Sequence, residues 1–366
     1  MAKKSEEKGF RVLFVCKNRV NSYGVLFGLV NSAKMLATEL CAAGVEAKMV
    51  SVVDGNAIDK EVHNFKPTHV ILNALWVTPE KTAELCKLYP KVSWTVMLHS
   101  KPVFLAVEGI ASKWIAALTV LQATIPNLWI SANSSETVSM LVKAFKAKSF
   151  LLPNVYSKPD PNDAPKKKNW IWPWSHHEVG HDGVLNVACF GAVRPLKNQY
   201  VQAIAAIFYA DKSKVKLFFH VNGDRIEQGG ENIMKNLTAL FAATGKHELV
   251  EHVWYHQADL IHEILPKMDV SMQVSLSETF NITAADAVAA GIPSIGSPDV
   301  YWMSEAFKAN PNSTDDIFAK LEEAIKEGKS GVADSQRILQ KANKRAIKTW
   351  KSALEQTDVS QALIFN

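Results

Sequence analysis

The chain has 366 residues. A single hydrophobic core of ordinary size does not hold that many residues together, so the length predicts two domains. A hydrophobic share of 48% and a net charge of +5 indicate a globular protein that tolerates anionic ligands. The apolar runs stop short of the roughly 20 residues that span a bilayer. Because the charged start at residues 1–8 predicts no signal peptide, we expect a cytoplasmic protein.

The cysteines indicate a reducing setting. No two of the four cysteines, Cys16, Cys41, Cys86 and Cys189, form a CxxC pair, and most of them stand in apolar segments. This pattern favours reduced core thiols over disulfides, which agrees with a cytosolic location.

Strand patterns alternate with helix patterns in the first half of the chain. Predicted strands cover residues 11–16, 47–52, 68–73, 93–98, 128–131 and 149–152, with helical spacing at 26–43 and 110–121. Such alternation is typical of a doubly wound parallel sheet, in which ligands bind beyond the carboxyl ends of the strands. The glycine motifs of dinucleotide enzymes and of P-loop NTPases do not occur, which counts against both classes.

Two polar segments follow predicted strands in this half. Residues 17–24 include Asn18 and Gly24, and they form either a ligand contact or a solvated turn. His99 follows the fourth strand; it can hydrogen-bond a hydroxyl or, as a cation, stabilise nearby charge. A surface histidine in a turn is the alternative.

The alternation breaks in residues 153–183, which are rich in proline. This segment places cations beside tryptophans, namely Lys167, Lys168, Trp170 and Trp172. Such a mixture suits phosphate contact with base stacking, a membrane interface or a sugar chain. The alternative is a hinge whose tryptophans pack between domains. The nearby histidines lack the spacing of a metal site.

Strand and helix patterns resume from residue 184 to about 325, followed by a helical tail at 333–355. A buried strand at 184–190 runs into a turn that holds Gly191, Arg194 and Lys197. Further strands are predicted at 215–221, ending in a glycine turn at residue 223, at 249–253 and at 268–275.

Residues 277–293 predict a loop, a short helix and a stop. Asn281 or Thr283 can cap the helix, and a glycine and a proline end it. A helix N-terminus offers unpaired N–H groups and the positive end of the helix dipole, which suits a phosphate. Glu278 before the helix and Asp286 within it suit sugar and ribose hydroxyls. The segment therefore predicts a sugar-nucleotide site, with an ordinary capped helix as the alternative.

This segment resembles the signature of retaining GT-B glycosyltransferases, most closely glycosyltransferase family 4. Glu278 and Asp286 match its two acids, although the second is Asp rather than Glu. Residues 289–293 match its Ala-Gly-x-Pro ending, while Thr279 and Asn281 stand where the family has glycines. Upstream, the cations of the 191–198 turn match the pair that holds the donor diphosphate.

The resemblance implies a GT-B fold: two doubly wound, Rossmann-like α/β domains that face a central cleft. It predicts an N-terminal acceptor-side domain at 1–152 and a basic, aromatic linker at 153–183. A nucleotide-sugar-binding domain is expected at 184–352, and the tail at 353–366 is expected to pack back on the first domain.

The resemblance also implies roles for individual residues. The expected catalytic residues are Arg194 and Lys197, which neutralise the leaving diphosphate, Glu278, which orients sugar hydroxyls, and His99. The expected donor-binding residues are Gly24, Gly191, Tyr255, Thr279, Phe280, Asn281, Ile282, Thr283 and Asp286. Tyr255 or a neighbouring aromatic is expected beside the nucleobase, unless these rings belong to the core. The expected acceptor contacts are Asn18, Lys167, Lys168, Trp170 and Trp172.

The chain is therefore expected to be a retaining, nucleotide-sugar-dependent hexosyl- or pentosyltransferase. Its donor is expected to be a nucleoside-diphosphate sugar, with UDP favoured, and no metal ion or other cofactor is required. DNA is the expected partner, with a hydroxymethylated pyrimidine as acceptor, similar to phage-type enzymes, and with no integral membrane association. The alternatives are a polysaccharide, lipid or small-molecule acceptor, a non-catalytic GT-B binding module and a sugar-nucleotide epimerase.

Overall fold

The structure, a computed structural model, describes residues 9–18, 28–163 and 183–359. Contacts divide these residues into two compact units. The first unit holds the described residues up to Ser157 and those from Asn343 onward, and the second holds Lys158–Ala342. The sequence-based bounds instead assign 153–183 to a linker and place the return to the first domain at residue 353.

The first unit is built on a parallel sheet with the order β2-β1-β3-β4-β5-β6. Its strands are β1 (Arg11–Lys17), β2 (Glu46–Val52), β3 (His69–Asn73), β4 (Ser93–Leu98), β5 (Leu128–Ala132) and β6 (Ser149–Leu151). Every residue of β3 and β4 is buried, as expected where helices cover both faces of a parallel sheet.

The helices of the first unit follow local signals. They are α1 (Gly28–Ala42), α2 (Ile58–Phe65), α3 (Pro79–Leu88), α4 (Pro102–Leu105), α5 (Ala111–Leu121) and α6 (Ser135–Lys143). Thr78 caps α3 by accepting from the Lys81 amide at 3.2 Å, and Pro79 takes the first helical position. From Asn343 onward the last helix joins this unit, where the fully buried Trp350 donates to the Pro153 carbonyl at 2.8 Å.

The second unit is built on a parallel sheet with the order β11-β10-β7-β8-β9. Its strands are β7 (Val184–Val193), β8 (Lys216–Ile226), β9 (Glu248–Glu251), β10 (Val270–Gln273) and β11 (Ser294–Gly296). Its helices are α7 (Gln199–Ser213), α8 (Glu231–Thr244), α9 (Gln257–Asp259), which continues into a π turn, α10 (Ile282–Ala289), α11 (Thr314–Glu327) and the first part of α12 (Lys329–Thr357). The predicted doubly wound α/β architecture is confirmed in both units.

The predicted turn at Gly223 is wrong, because β8 continues through this residue to Ile226. A Cβ at position 223 would lie 2.3 Å from Glu251 Oε2, at the end of the neighbouring strand β9. A side chain at this position would therefore have to displace the Glu251 side chain, so the glycine reflects close contact across the sheet rather than a reversal of the chain.

The prediction of core thiols is confirmed for three of the four cysteines. All cysteines are free, and Cys16, Cys86 and Cys189 are buried, whereas Cys41 is exposed. Burial raises the pKa of each of the three buried thiols to about 12. Across the described ranges, each helix is either too short or too polar to span a bilayer.

Candidate functional site

The strand order of the second unit reverses its winding beside two of its loops. In chain order β7 comes first, yet it lies between β10 and β8, so the direction of winding reverses between β7 and β10. Ligands of open parallel sheets bind at such reversals, beyond the carboxyl ends of the strands. The two loops that begin there carry Arg194 and Lys197 after β7, and Glu278 after β10.

An ion pair joins these two loops. Lys197 Nζ donates to Glu278 Oε1, across 81 positions of sequence. The side chains are only 12% and 9% exposed, so most of the water around both charges is excluded. The Glu278 amide donates to Asp299 Oδ2 at 2.9 Å, which fixes the loop at this point. The basic turn and the first acid of the motif thus lie together.

Gly191 lies beside Lys197, at the same edge of the sheet as the ion pair. Its φ of +119° is a conformation that side-chain-bearing residues rarely adopt, and its amide donates to Asn222 Oδ1 at 2.9 Å. A Cβ at this position would lie 3.9 Å from both Lys197 Cε and Thr283 Oγ1. The lysine stem, the threonine hydroxyl and the bare glycine backbone therefore face one another.

Asn281, rather than Thr283, caps helix α10. Its Oδ1 accepts from the Ala284 amide at 3.0 Å, and its backbone is left-handed with φ 61°, a conformation that asparagine tolerates better than most residues. The residue is 5% exposed, and Nδ2 has no hydrogen-bond partner within the described residues. A buried donor of this kind is a candidate ligand contact.

Phe280 anchors the loop before α10. Its ring is 2% exposed and packs against Trp302 and Tyr301, with ring centroids 5.7 and 6.1 Å away. The Trp302 indole donates to the Phe280 carbonyl at 2.6 Å. Phe280 therefore contributes through the position of its backbone, since its side chain is committed to the core.

The second acid of the motif is buried on α10. Asp286 is 3% exposed, and its Oδ1 accepts from Gln257 Nε2 at 2.7 Å. Gln257 begins α9, so the pair connects the helix of the motif to the segment that follows β9.

A second charged cluster surrounds Arg194. Glu227 accepts from Arg194 at 3.5 Å through Oε2 and from Arg225 at 2.8 Å through Oε1. The Arg225 guanidinium lies 3.9 Å from the centre of the Trp254 ring, a cation–π contact. Desolvation lowers the pKa of Arg225, and Glu227 opposes that shift. The cluster fixes Arg194 from the side of β8 and the segment after β9.

Tyr255 belongs to a buried polar chain. Its ring is 7% exposed, its hydroxyl is 2.6 Å from His252 Nδ1, and His252 Nε2 is 2.8 Å from His220 Nδ1. Burial lowers the pKa of His252 to about 3 and raises the pKa of the Tyr255 hydroxyl. Trp254, by contrast, is half-buried. A nucleobase contact by either ring stays a prediction.

In the first unit, His99 lies in a polar cluster after three neighbouring strands. Its Nε2 donates to Asn73 Oδ1 at 2.6 Å, and its Nδ1 is 3.4 Å from Asn133 Nδ2. Desolvation lowers the pKa of His99 to about 4. The lowered pKa favours the neutral ring near pH 7, and so favours hydrogen bonding over a cationic role.

The remaining predicted residues are less informative. Asn18 is exposed, and its backbone N–H donates to the Val52 carbonyl at 2.7 Å. Thr279 and Ile282 are half-buried in the loop and first turn of α10. Predicted contacts that lie outside the described residues are Gly24, Lys167, Lys168, Trp170 and Trp172.

Sequence reasoning missed the residues that hold the site in shape. They are Asn222, Arg225, Glu227, Gln257, Asp299 and Trp302. Asp299 and Trp302 follow β11, the strand beside β10, and no strand was predicted there from the sequence. The partners of the others depend on which strands become neighbours.

Two units in one chain, each with a doubly wound parallel sheet, define the GT-B class of fold. No protein-family model matches the sequence, and no curated protein matches it. Among solved structures, the trehalose-6-phosphate synthase OtsA is similar, with a TM-score of 0.65 at 13% identity over 94% of this chain and 99% of that one.

Two further solved structures are similar to this chain over almost its whole length. Anabaena Alr3699/HepE in complex with UDP and glucose gives a TM-score of 0.60 at 13% identity, over 94% of this chain and 100% of that one. The N-terminal domain of a Candida albicans trehalose-6-phosphate phosphatase gives 0.66 at 10% identity, over 97% and 98%. Similarity at these identities shows the fold alone.

Proposed function

We propose that this protein transfers a sugar from a nucleoside-diphosphate sugar to an acceptor hydroxyl. The observation that carries the proposal is the meeting of Lys197, Glu278, Gly191 and the N-terminus of α10 at the reversal of the second sheet. Cation, backbone and helix end suit a diphosphate, and the carboxylate suits sugar hydroxyls. Together these groups match the two ends of a sugar nucleotide.

The diphosphate is the leaving group, so its charge is what the site must stabilise. Lys197 and Arg194, rather than a metal ion, neutralise the negative charge that develops as the bond between the sugar and the phosphate oxygen breaks. Fixed charges in a site that excludes water stabilise such a transition state, and losing one such group typically costs about 3–4 kcal/mol of barrier. The half-buried Thr283 hydroxyl and the Asn281 Nδ2 group add neutral donors on the opposite side.

Glu278 holds the sugar, and Asp286 with Gln257 holds the ribose. The acceptor hydroxyl attacks the anomeric carbon from the face that the diphosphate leaves, and its proton passes to the departing phosphate oxygen, so the anomeric configuration is retained. A trehalose-6-phosphate synthase described as performing glycosyltransfer with retention is similar to this structure, with a TM-score of 0.58 at 13% identity.

UDP is the favoured nucleotide of the donor. Support comes from similar structures, one of them an E. coli protein bound with UDP-2-fluoro glucose, and another bound to UDP and glucose. The acceptor is a separate matter. The DNA prediction depends on residues 166–174, which lie outside the described residues, so it stays a prediction for a gel-shift salt series to test.

A panel of nucleotide sugars tests the proposal. Thermal unfolding is measured with UDP-, GDP- and ADP-sugars, because a ligand of the native state raises the melting temperature by mass action. The donor that stabilises the protein is then followed for release of free sugar or nucleoside diphosphate. We expect at least one donor to bind and to be hydrolysed slowly. Binding without turnover points to the non-catalytic module, and an isomerised sugar nucleotide points to the epimerase.

A further inference from the structure

We propose that Glu278 is also a specificity residue: it competes with the diphosphate for Lys197, so that the site prefers an intact nucleotide sugar over the bare nucleoside diphosphate that remains after transfer. This inference rests on the proposed function. It assigns to the ion pair a role in release of the product, in addition to the roles of its two members in binding the donor.

The charge balance of the site carries the inference. Lys197 donates to Glu278, and Arg194 donates to Glu227 at 3.5 Å, so each candidate diphosphate-binding cation already has a carboxylate partner. The first pair is the closer and more buried of the two, with side chains 12% and 9% exposed, against 21% and 31% for the second. A diphosphate therefore enters a site whose main cation is already neutralised.

An incoming diphosphate must displace Glu278 from Lys197, or share the cation with it. Either outcome costs free energy, because a carboxylate with little access to water either loses its partner or lies beside further negative charge. An intact donor offsets this cost, since its sugar hydroxyls donate hydrogen bonds to the displaced carboxylate. A bare nucleoside diphosphate offers no hydroxyls at that position, so Glu278 returns to Lys197 and favours release of the product.

The test compares the wild-type protein with Glu278→Gln, which keeps the shape of the side chain and removes its charge. Dissociation constants for UDP, GDP, ADP and inorganic pyrophosphate are measured by titration calorimetry, together with the corresponding nucleotide sugars. We expect Glu278→Gln to bind the preferred nucleoside diphosphate at least tenfold more tightly than wild type. The intact donor gains less, so the preference for donor over product falls.

Two controls isolate the contact. Glu322→Gln removes a carboxylate from an exposed lysine pair, Lys212–Glu322 at 2.7 Å, and should change no affinity. In a Lys197→Met background, Glu278→Gln should no longer tighten nucleoside-diphosphate binding, because there is no cation to release. Circular dichroism checks that each variant is folded. If Glu278→Gln does not fold, Glu278→Ala replaces it, and we again expect tighter binding of the nucleoside diphosphate.

The outcomes separate this inference from the proposed function. Nucleoside-diphosphate binding that is unchanged or weaker in the charge-removing variants overturns the competition by Glu278, while leaving the donor site in place. Tightening that persists in the Lys197→Met background overturns the role of this pair. If neither wild type nor variant binds any nucleoside diphosphate or nucleotide sugar, the proposed function fails, and this inference with it.

Discussion

Replacing Gly191 with alanine tests whether the space between Lys197 and Thr283 belongs to a ligand. The added Cβ would lie 3.9 Å from Lys197 Cε and from Thr283 Oγ1, which is ordinary contact, so the protein can still fold around it. The substitution does force alanine to a φ of +119°. Strain of this kind costs about 1–3 kcal/mol of folding free energy.

Gly245→Ala is the matched control for that strain. Gly245 also has a positive φ, +68°, but a Cβ there has no neighbour within 4 Å. Both variants should lose stability in chemical denaturation. Only Gly191→Ala should also lose affinity for the nucleotide sugar, by about tenfold or more. The added methyl group crowds the ligand, and a loss of about 1.4 kcal/mol in binding free energy corresponds to a tenfold weaker dissociation constant.

Titration calorimetry with the donor found in the nucleotide-sugar panel measures the difference. The reasoning is refuted if Gly191→Ala binds the donor as tightly as Gly245→Ala does, since the methyl group would then stand in space that no ligand uses.

Further predictions concern the loop anchor and pH. Trp302→Phe keeps a six-membered ring next to Phe280, but it removes the N–H that donates to a buried carbonyl at 2.6 Å and leaves a void at a fully buried position. The free energy of unfolding should therefore fall by about 1–3 kcal/mol from the lost hydrogen bond, with the void adding to the loss; a denaturation curve that matches wild type would contradict this. Burial lowers the pKa of His69 and of His99 to about 4, below the 6.5 of an unfolded histidine, so the unfolded state takes up more protons between these values. Stability should therefore be complete above pH 6.5 and decrease as pH falls toward 4, at most about 1.4 kcal/mol per pH unit for each histidine. His69→Asn should make the measured dependence shallower, and a dependence that rises toward acid would reverse the sign of the argument.

The regular elements were predictable because their signals are local. The strand at 93–98 has the predicted bounds, since its apolar run is flanked by clear turn residues. The sequence limited the N-terminal cap of α10 to Asn281 or Thr283, and in the structure Asn281 caps the helix. Gly223 shows the limit of such reasoning. The sequence does not distinguish a glycine that forms a turn from a glycine that makes room for a neighbouring side chain.

The candidate site was predictable in part. The loops with Lys197 and Glu278 could be expected to meet because parallel strands place their carboxyl ends on one edge. The partners of Arg194 could not, since Glu227 and Arg225 lie at the end of a strand that was expected to have turned away at Gly223. The lowered pKa of His99 also depends on desolvation, which no short segment of sequence reveals.

Release of nucleoside diphosphate from the preferred nucleotide sugar is the measurement that tests the central claim most directly. It is compared in wild type, Lys197→Ala, Glu278→Ala and the exposed control Lys212→Ala. The proposed function predicts that Lys197→Ala loses about 100- to 1,000-fold in turnover, the usual effect of removing a group that stabilises transition-state charge. Glu278→Ala should lose about 100-fold, because the sugar is no longer held in the reactive position, while the control stays at the wild-type rate. Undiminished turnover in both Lys197→Ala and Glu278→Ala would contradict the assignment of this site.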